Sequence, residues 1–230
     1  MINRSLVSPE TRQRLRGMAI PVALAFGRLG VTPNTLTVAG FLGTCLAAAA
    51  AAAEWWAPAG ILVIAFGVFD MFDGALARAT GQATRFGAFL DSTLDRTGES
   101  LVLAGVAYGC ASAGFLPGVG LAGAALAFAS VVTYTRAKAE ALNLHGEVGF
   151  APRPERLVIL SVGLVLCGAL GGVRFTIPAG MEDALMSWEP YRAEAAWALG
   201  IALGLIAVLS AVTVVQRILH VRRQLAQIDR

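Results

Sequence analysis

Residues 69–96 read FDMFDGALARATGQATRFGAFLDSTLDR. Asp70, Asp73, Asp91 and Asp95 sit there between two apolar runs, GILVIAFGVF at 60–69 and LVLAGVAYGC at 101–110. A charged side chain at the bilayer centre costs roughly 2.5–3.5 kcal/mol even on translocon-insertion scales, so carboxylates retained at membrane depth call for a function. Asp70 and Asp73 are three apart at the end of one apolar segment and share a helix face; Asp91 and Asp95, four apart at the start of the next, share another. The short break between them carries Gly81 and Gly87. Two antiparallel helices joined this way turn both pairs toward each other. Four convergent carboxylates cannot all stay ionised without a counter-charge. Two divalent cations supply one, and all-oxygen ligation suits Mg²⁺, with Mn²⁺ as the alternative. Such a pair of ions clamps a phosphate in an in-line displacement. Gly74 removes a side chain where a phosphate approaches, and Arg78 is placed to meet a phosphate oxygen. Interfacial charges paired with Arg78, Arg85 and Arg96 would account for any one aspartate, but not for four at these spacings.

The rest of the chain fits a membrane setting. Of its 230 residues 57% are hydrophobic and 14% charged, against about 25% charged in a soluble domain. Six apolar blocks reach spanning length. They run over about 36–53, 58–77, 89–113, 119–139, 157–175 and 195–219. Arginines fall at alternate breaks: Arg4, Arg12, Arg14, Arg16 and Arg28 before the first block, Arg78 and Arg85 after the second, Arg153 and Arg156 after the fourth, and Arg217, Arg222, Arg223 and Arg230 at the end. By the positive-inside rule both termini and the aspartate-bearing ends are cytoplasmic, which predicts a multi-pass protein of the cell membrane. Residues 1–30 are too charged to span. With Pro9 in a first-turn position and interleaved apolar residues, they read as an amphipathic interfacial helix, without the apolar core of a removable leader. The fold class is therefore an all-α integral membrane protein, one domain over 1–230, with the interfacial helix at 1–30 and a six-helix bundle at 36–219. The alanine run 47–53 reads as a close helix contact. Gly200 and Gly204 read first as packing within the chain and second as a dimer contact. Cys45, Cys110 and Cys167 are scattered in apolar blocks and read as free buried thiols.

The pattern D-x2-D-G-x2-A-R-x8-G-x3-D-x3-D, met by Asp70, Asp73, Gly74, Ala77, Arg78, Gly87, Asp91 and Asp95, resembles the signature of the CDP-alcohol phosphotransferases. The resemblance implies transfer of a phosphoalcohol from a CDP-linked donor to an alcohol, with release of CMP and two bound metals. It places Asp70, Asp73 and Asp91 on the first metal and Asp70, Asp91 and Asp95 on the second, with Asp95 also the general base. VTPNTLT at 31–37 looks like the family's cytidine-side segment, which implicates Thr32, Pro33 and Asn34; Gly74, Arg78 and Thr84 would also touch the CDP moiety.

The acceptor is read from TYTRAKAEALNLHGEVGFAPRPERL at 133–157 and the QR at 216–217. Arg136, Arg153, Arg156 and Arg217 suit a phosphorylated acceptor better than a neutral one, although positive-inside charge explains some of them. With TRFGAFLDSTLDR, these phrases resemble the bacterial phosphatidylinositol phosphate synthases of that family. That resemblance implies CDP-diacylglycerol as donor, inositol 1-phosphate as acceptor, a homodimer among membrane lipids, and no nucleic-acid partner. It puts Arg136, Arg156 and Arg217 on the acceptor phosphate. The lysine and arginine of the group's KARAE segment are exchanged here, as Arg136 and Lys138. A glycerol 3-phosphate acceptor within the family, and a divalent-cation transporter outside it, are the alternatives.

Overall fold

The structure, a computed structural model, describes residues 20–146, 148–150, 152–173 and 193–228. The described residues are helical apart from the connections between helices. A first helix, α1, is described over 20–28. It is followed by α2 (Pro33–Ala52), α3 (Trp56–Thr80), α4 (Arg85–Ser112), α5 (Leu116–Ala141), α6 (Arg153–Ala169) and α7 (Ala193–Ile228). The boundaries have local causes. Thr32 caps α2 by accepting the Thr35 amide, and Pro33 opens the first turn. Thr84 caps α4 by accepting the Gly87 amide at 2.9 Å. Gly81, at φ 69°, ends α3 in the left-handed region that a residue with a Cβ enters at a cost.

Six helices close into a ring: α2 packs on α3, α3 on α6, α6 on α7, α7 on α5, α5 on α4, and α4 on α2. Small residues set the close approaches, as the alanine run predicts. A Cβ on Gly105 would run into the Ala48 carbonyl, and one on Gly109 into that of Ala51, so α4 lies against the alanine face of α2. Gly200 and Gly204 face Leu121 of α5, so this GxxxG packs within the chain.

The core fills one end of the ring. Ala47, Ala51, Trp56, Val63, Val106, Cys110, Leu164, Leu199 and Leu203 are buried there. The cysteines are free thiols, with Cys110 and Cys167 buried. Toward the other end the apolar packing gives way to carboxylates and arginines. There α1 seats Ala23 beside Leu36, Ala75 and Leu76.

Four helices, α2, α3, α5 and most of α7, are long and apolar enough to cross a membrane. Two helices of the ring fall short of that measure. The first four turns of α4 carry Arg85, Asp91, Asp95, Arg96 and Glu99, and α6 has 17 residues. The fifth block, expected to reach Phe175, ends its helix at Ala169 because the chain turns through Gly171 and Gly172, both at positive φ. Most of the expected interfacial helix, and the break 174–192, lie outside the described residues.

Candidate active site

Asp70 near the end of α3 and Asp91 and Asp95 near the start of α4 come together as expected. Each offers a carboxylate oxygen, and all three lie within 4.8 Å of one another. Helical spacing does this: α3 and α4 are joined through the Gly81 turn and both pack on α2, and Asp91 and Asp95 stand one above the other. Asp70 and Asp95 also border a cleft of about 10 Å³ with Thr37, Thr44 and Arg153, roughly the room one water or small ion takes. Three hard oxygen donors at one point fit a divalent cation.

Asp73 is not in that group. Its side chain is buried, with Oδ2 accepting from the Thr37 hydroxyl at 2.6 Å and Oδ1 accepting from the Gly74 amide. It belongs to the wall of a neighbouring cavity of about 200 Å³, which it shares with Pro33, Asn34, Gly74, Arg78, Thr84 and Asp91. Every donor-side residue expected from the sequence reaches this wall except Thr32, whose hydroxyl is taken up in capping α2. The glycines keep the cavity open. A Cβ on Gly87 would stand 3.1 Å from both Asn34 Oδ1 and Thr84 Oγ1, and one on Gly74 would stand 3.2 Å from Arg78 Nη1. Thr37 borders both the cavity and the small cleft, so the two spaces share a wall.

The four arginines assigned to an acceptor are engaged separately. Arg153, first residue of α6, donates from Nη1 to Asp70 Oδ2 at 3.1 Å and to Asp95. It puts positive charge on the carboxylate group itself. Arg156, one turn on, is buried and doubly paired with Glu99: Nε to Oε1 at 2.7 Å and Nη2 to Oε2 at 2.8 Å. Arg217 donates from Nε to the Val148 carbonyl at 2.9 Å and from Nη1 to that of Val132, tying α7 to α5 and to the backbone at Val148. Arg136 is exposed and pairs with Glu140 at 2.8 Å. Lys138 and Arg222 share with Arg217 the wall of a groove of about 510 Å³ between the ends of α5 and α7.

Two residues of this region escaped the sequence reading. Thr37 holds Asp73, and its signal was its place one turn after Pro33. Glu99 holds Arg156, and its signal was its place one turn after Asp95, which extends the Asp91–Asp95 column of carboxylates along α4.

The model of the CDP-alcohol phosphatidyltransferase family matches residues 30–218. The chain belongs to that family, which decides between the enzyme reading and the cation-transporter alternative in favour of the enzyme. Among individual proteins, it is 36% identical over 217 residues to the phosphatidylinositol phosphate synthase of Mycolicibacterium smegmatis, covering 92% of this chain and 87% of that one. It superposes on the crystal structure of Mycobacterium tuberculosis phosphatidylinositol phosphate synthase with CDP-DAG bound at a TM-score of 0.72 and 31% identity, covering 88% of this chain and 92% of that one. The crystal structure of the same protein with manganese and citrate gives 0.70 and 30%, covering 88% of each chain.

Proposed function

We propose that this chain transfers the phosphatidyl group of CDP-diacylglycerol to inositol 1-phosphate, forming phosphatidylinositol phosphate and releasing CMP. The observation that carries the proposal is the group formed by Asp70, Asp91 and Asp95 beside the glycine-lined cavity of Asn34, Asp73, Gly74, Arg78 and Thr84. Relatives named for this activity cover most of the chain, and the manganese of one related structure agrees with the hard-oxygen chemistry of the aspartates.

Asp70, Asp91 and Asp95 would hold a divalent cation, with Asp73 contributing from the cavity side. Bound there, such ions supply neutralisation of the donor pyrophosphate and of the charge that develops on departing CMP. The cavity residues orient the donor: Asn34 and Thr84 offer polar groups, Gly74 and Gly87 admit the chain of phosphates, and Arg78 offers a planar set of donors to a phosphate oxygen. Asp95 accepts the proton of the acceptor hydroxyl as that oxygen bonds to the lipid-side phosphorus, and the bond from this phosphorus to the CMP oxygen breaks. Arg153, on Asp95 and Asp70, stands between the carboxylates and the basic segment that meets the acceptor. Arg156 and Arg217 bind the acceptor phosphate, with Arg136 or Lys138 as the third cation.

The enzyme works as a multi-pass protein with six spans, an interfacial N-terminal helix, and the aspartates at the cytoplasmic face where the donor headgroup lies. Support comes from the alternation of arginine-rich breaks and from the ring of six helices. A homodimer follows from the family resemblance. The reading is tested by incubating the purified chain with CDP-diacylglycerol and labelled inositol 1-phosphate. Label should enter the lipid phase one for one with CMP; CMP release that leaves the label in water would exclude the transfer.

A further inference from the structure

We infer that Glu99 is a positioning residue that presents Arg156 to the phosphate of the acceptor, and that the ion pairs between α4 and α6 fix the acceptor site to the metal-binding helix. The inference rests on the proposed role of Arg156 in acceptor binding.

Asp91, Asp95 and Glu99 form one column along α4, each four residues after the last. Arg153 and Arg156 occupy the first turn of α6. The two columns meet in register, Arg153 on Asp95 and Arg156 on Glu99. The pair Arg153–Asp95 belongs to the site already described, whereas Glu99 offers no oxygen to the carboxylate group. It sits one turn further into the bundle, about 6 Å along the axis for four residues. That is the scale of a six-membered polyol ring, so a phosphate held at Arg156 would leave an acceptor hydroxyl on the opposite side of the ring near Asp95.

Burial makes Glu99 a determinant of Arg156 rather than a casual neighbour. Arg156 is 3% exposed and Glu99 7%, and a charge this deep holds its place only with a partner. The pairing is bidentate, through Nε and Nη2. It fixes the plane and place of the guanidinium. A phosphate recognised by Arg156 therefore depends on Glu99 for direction as well as for the burial of the charge. Lysine at 156 could not reproduce this, because an ammonium has no plane to fix.

The test measures apparent KM for inositol 1-phosphate, KM for CDP-diacylglycerol and Mn²⁺ binding in the full-length chain in lipid nanodiscs. Glu99→Gln should raise the acceptor KM at least about tenfold, because a neutral amide cannot accept from both Nε and Nη2. The donor KM and Mn²⁺ affinity should hold within about twofold, and Glu99→Asp should recover part of the acceptor loss. Glu99→Gln alone strands a buried arginine charge, so the Glu99→Gln/Arg156→Gln double variant is made beside it. The acceptor KM of the double variant should equal that of Arg156→Gln alone, since Glu99 acts only through Arg156. An unchanged acceptor KM in Glu99→Gln, an equal rise in donor KM, or fully additive losses in the double variant would each overturn the inference. The proposed function is judged separately on the wild type. If that uses glycerol 3-phosphate instead of inositol 1-phosphate, the inositol reading fails, and the same split is then required with glycerol 3-phosphate.

Discussion

Asp91 stands at the junction of two spaces, with one face toward Asp70 and Asp95 and the other in the donor cavity. Asn at this position keeps the shape and removes the charge, so Asp91→Asn should lose CMP release while the protein retains its helical circular dichroism and elution volume. Turnover near that of the wild type would remove the carboxylate group from the mechanism. Asp95→Asn should separate binding from chemistry. Donor binding should persist, since Asp95 does not line the donor cavity, whereas turnover should fall by about 10²–10⁴, the usual contribution of a general base. A loss smaller than about tenfold with donor binding intact would disqualify Asp95 as the base. Arg153 offers the opposite sign of effect. Its guanidinium lies on the oxygens that suit a cation, and like charges repel at this range. Arg153→Gln should therefore lower the Mn²⁺ concentration needed for half-saturation, followed by electron paramagnetic resonance; weaker Mn²⁺ binding would show that Arg153 supports the site instead of competing for it.

At the scale of helices, the turn between α3 and α4 does two jobs. Gly81 reverses the chain so that the aspartates meet, and Gly87, on the first turn of α4, leaves the donor cavity open between Asn34 and Thr84. Gly87→Ala leaves the φ of the residue unstrained and puts a methyl group 3.1 Å from two oxygen atoms. The KM for CDP-diacylglycerol should rise several-fold with Mn²⁺ affinity unchanged, measured by CMP release and by Mn²⁺ titration of the same preparation. Parallel losses of both would mean that the substitution disturbs α4 as a whole. What could be read from the sequence follows the same division. Spacing within one helix puts Asp91 over Asp95, and a short glycine-bearing break brings Asp70 to them, so the carboxylate group is legible in the order of residues alone. Of the donor wall, Gly74 and Arg78 are legible from their places just after Asp73, whereas Asn34 and Thr84 are implied by the family resemblance and not by spacing. The partners of Arg156 and Arg217 are not legible. Glu99 lies 57 positions from Arg156, and Val132 lies 85 from Arg217. No periodicity within one segment encodes which helix end meets which. Asp73 shows the limit of spacing in another way: it shares a face with Asp70, yet Thr37 of α2 takes one of its oxygens.

At the scale of the molecule, the ring divides the work between its two ends. One end is packed with small and aliphatic side chains that let the helices approach closely. The other gathers the carboxylates, the arginines and the donor cavity. Under the proposed function and orientation, the acyl chains of a lipid donor would stay in the bilayer while its headgroup reaches the aspartates. The most direct measurement is CMP release from CDP-diacylglycerol by the purified chain, with Mg²⁺ or with a chelator, in parallel reactions containing inositol 1-phosphate, glycerol 3-phosphate, inositol and serine. CMP should appear only with a divalent ion and fastest with inositol 1-phosphate, with free inositol and serine inactive. Release that persists in the chelator would contradict the metal centre, and a preference for any of the other three acceptors would contradict the assignment of the substrate.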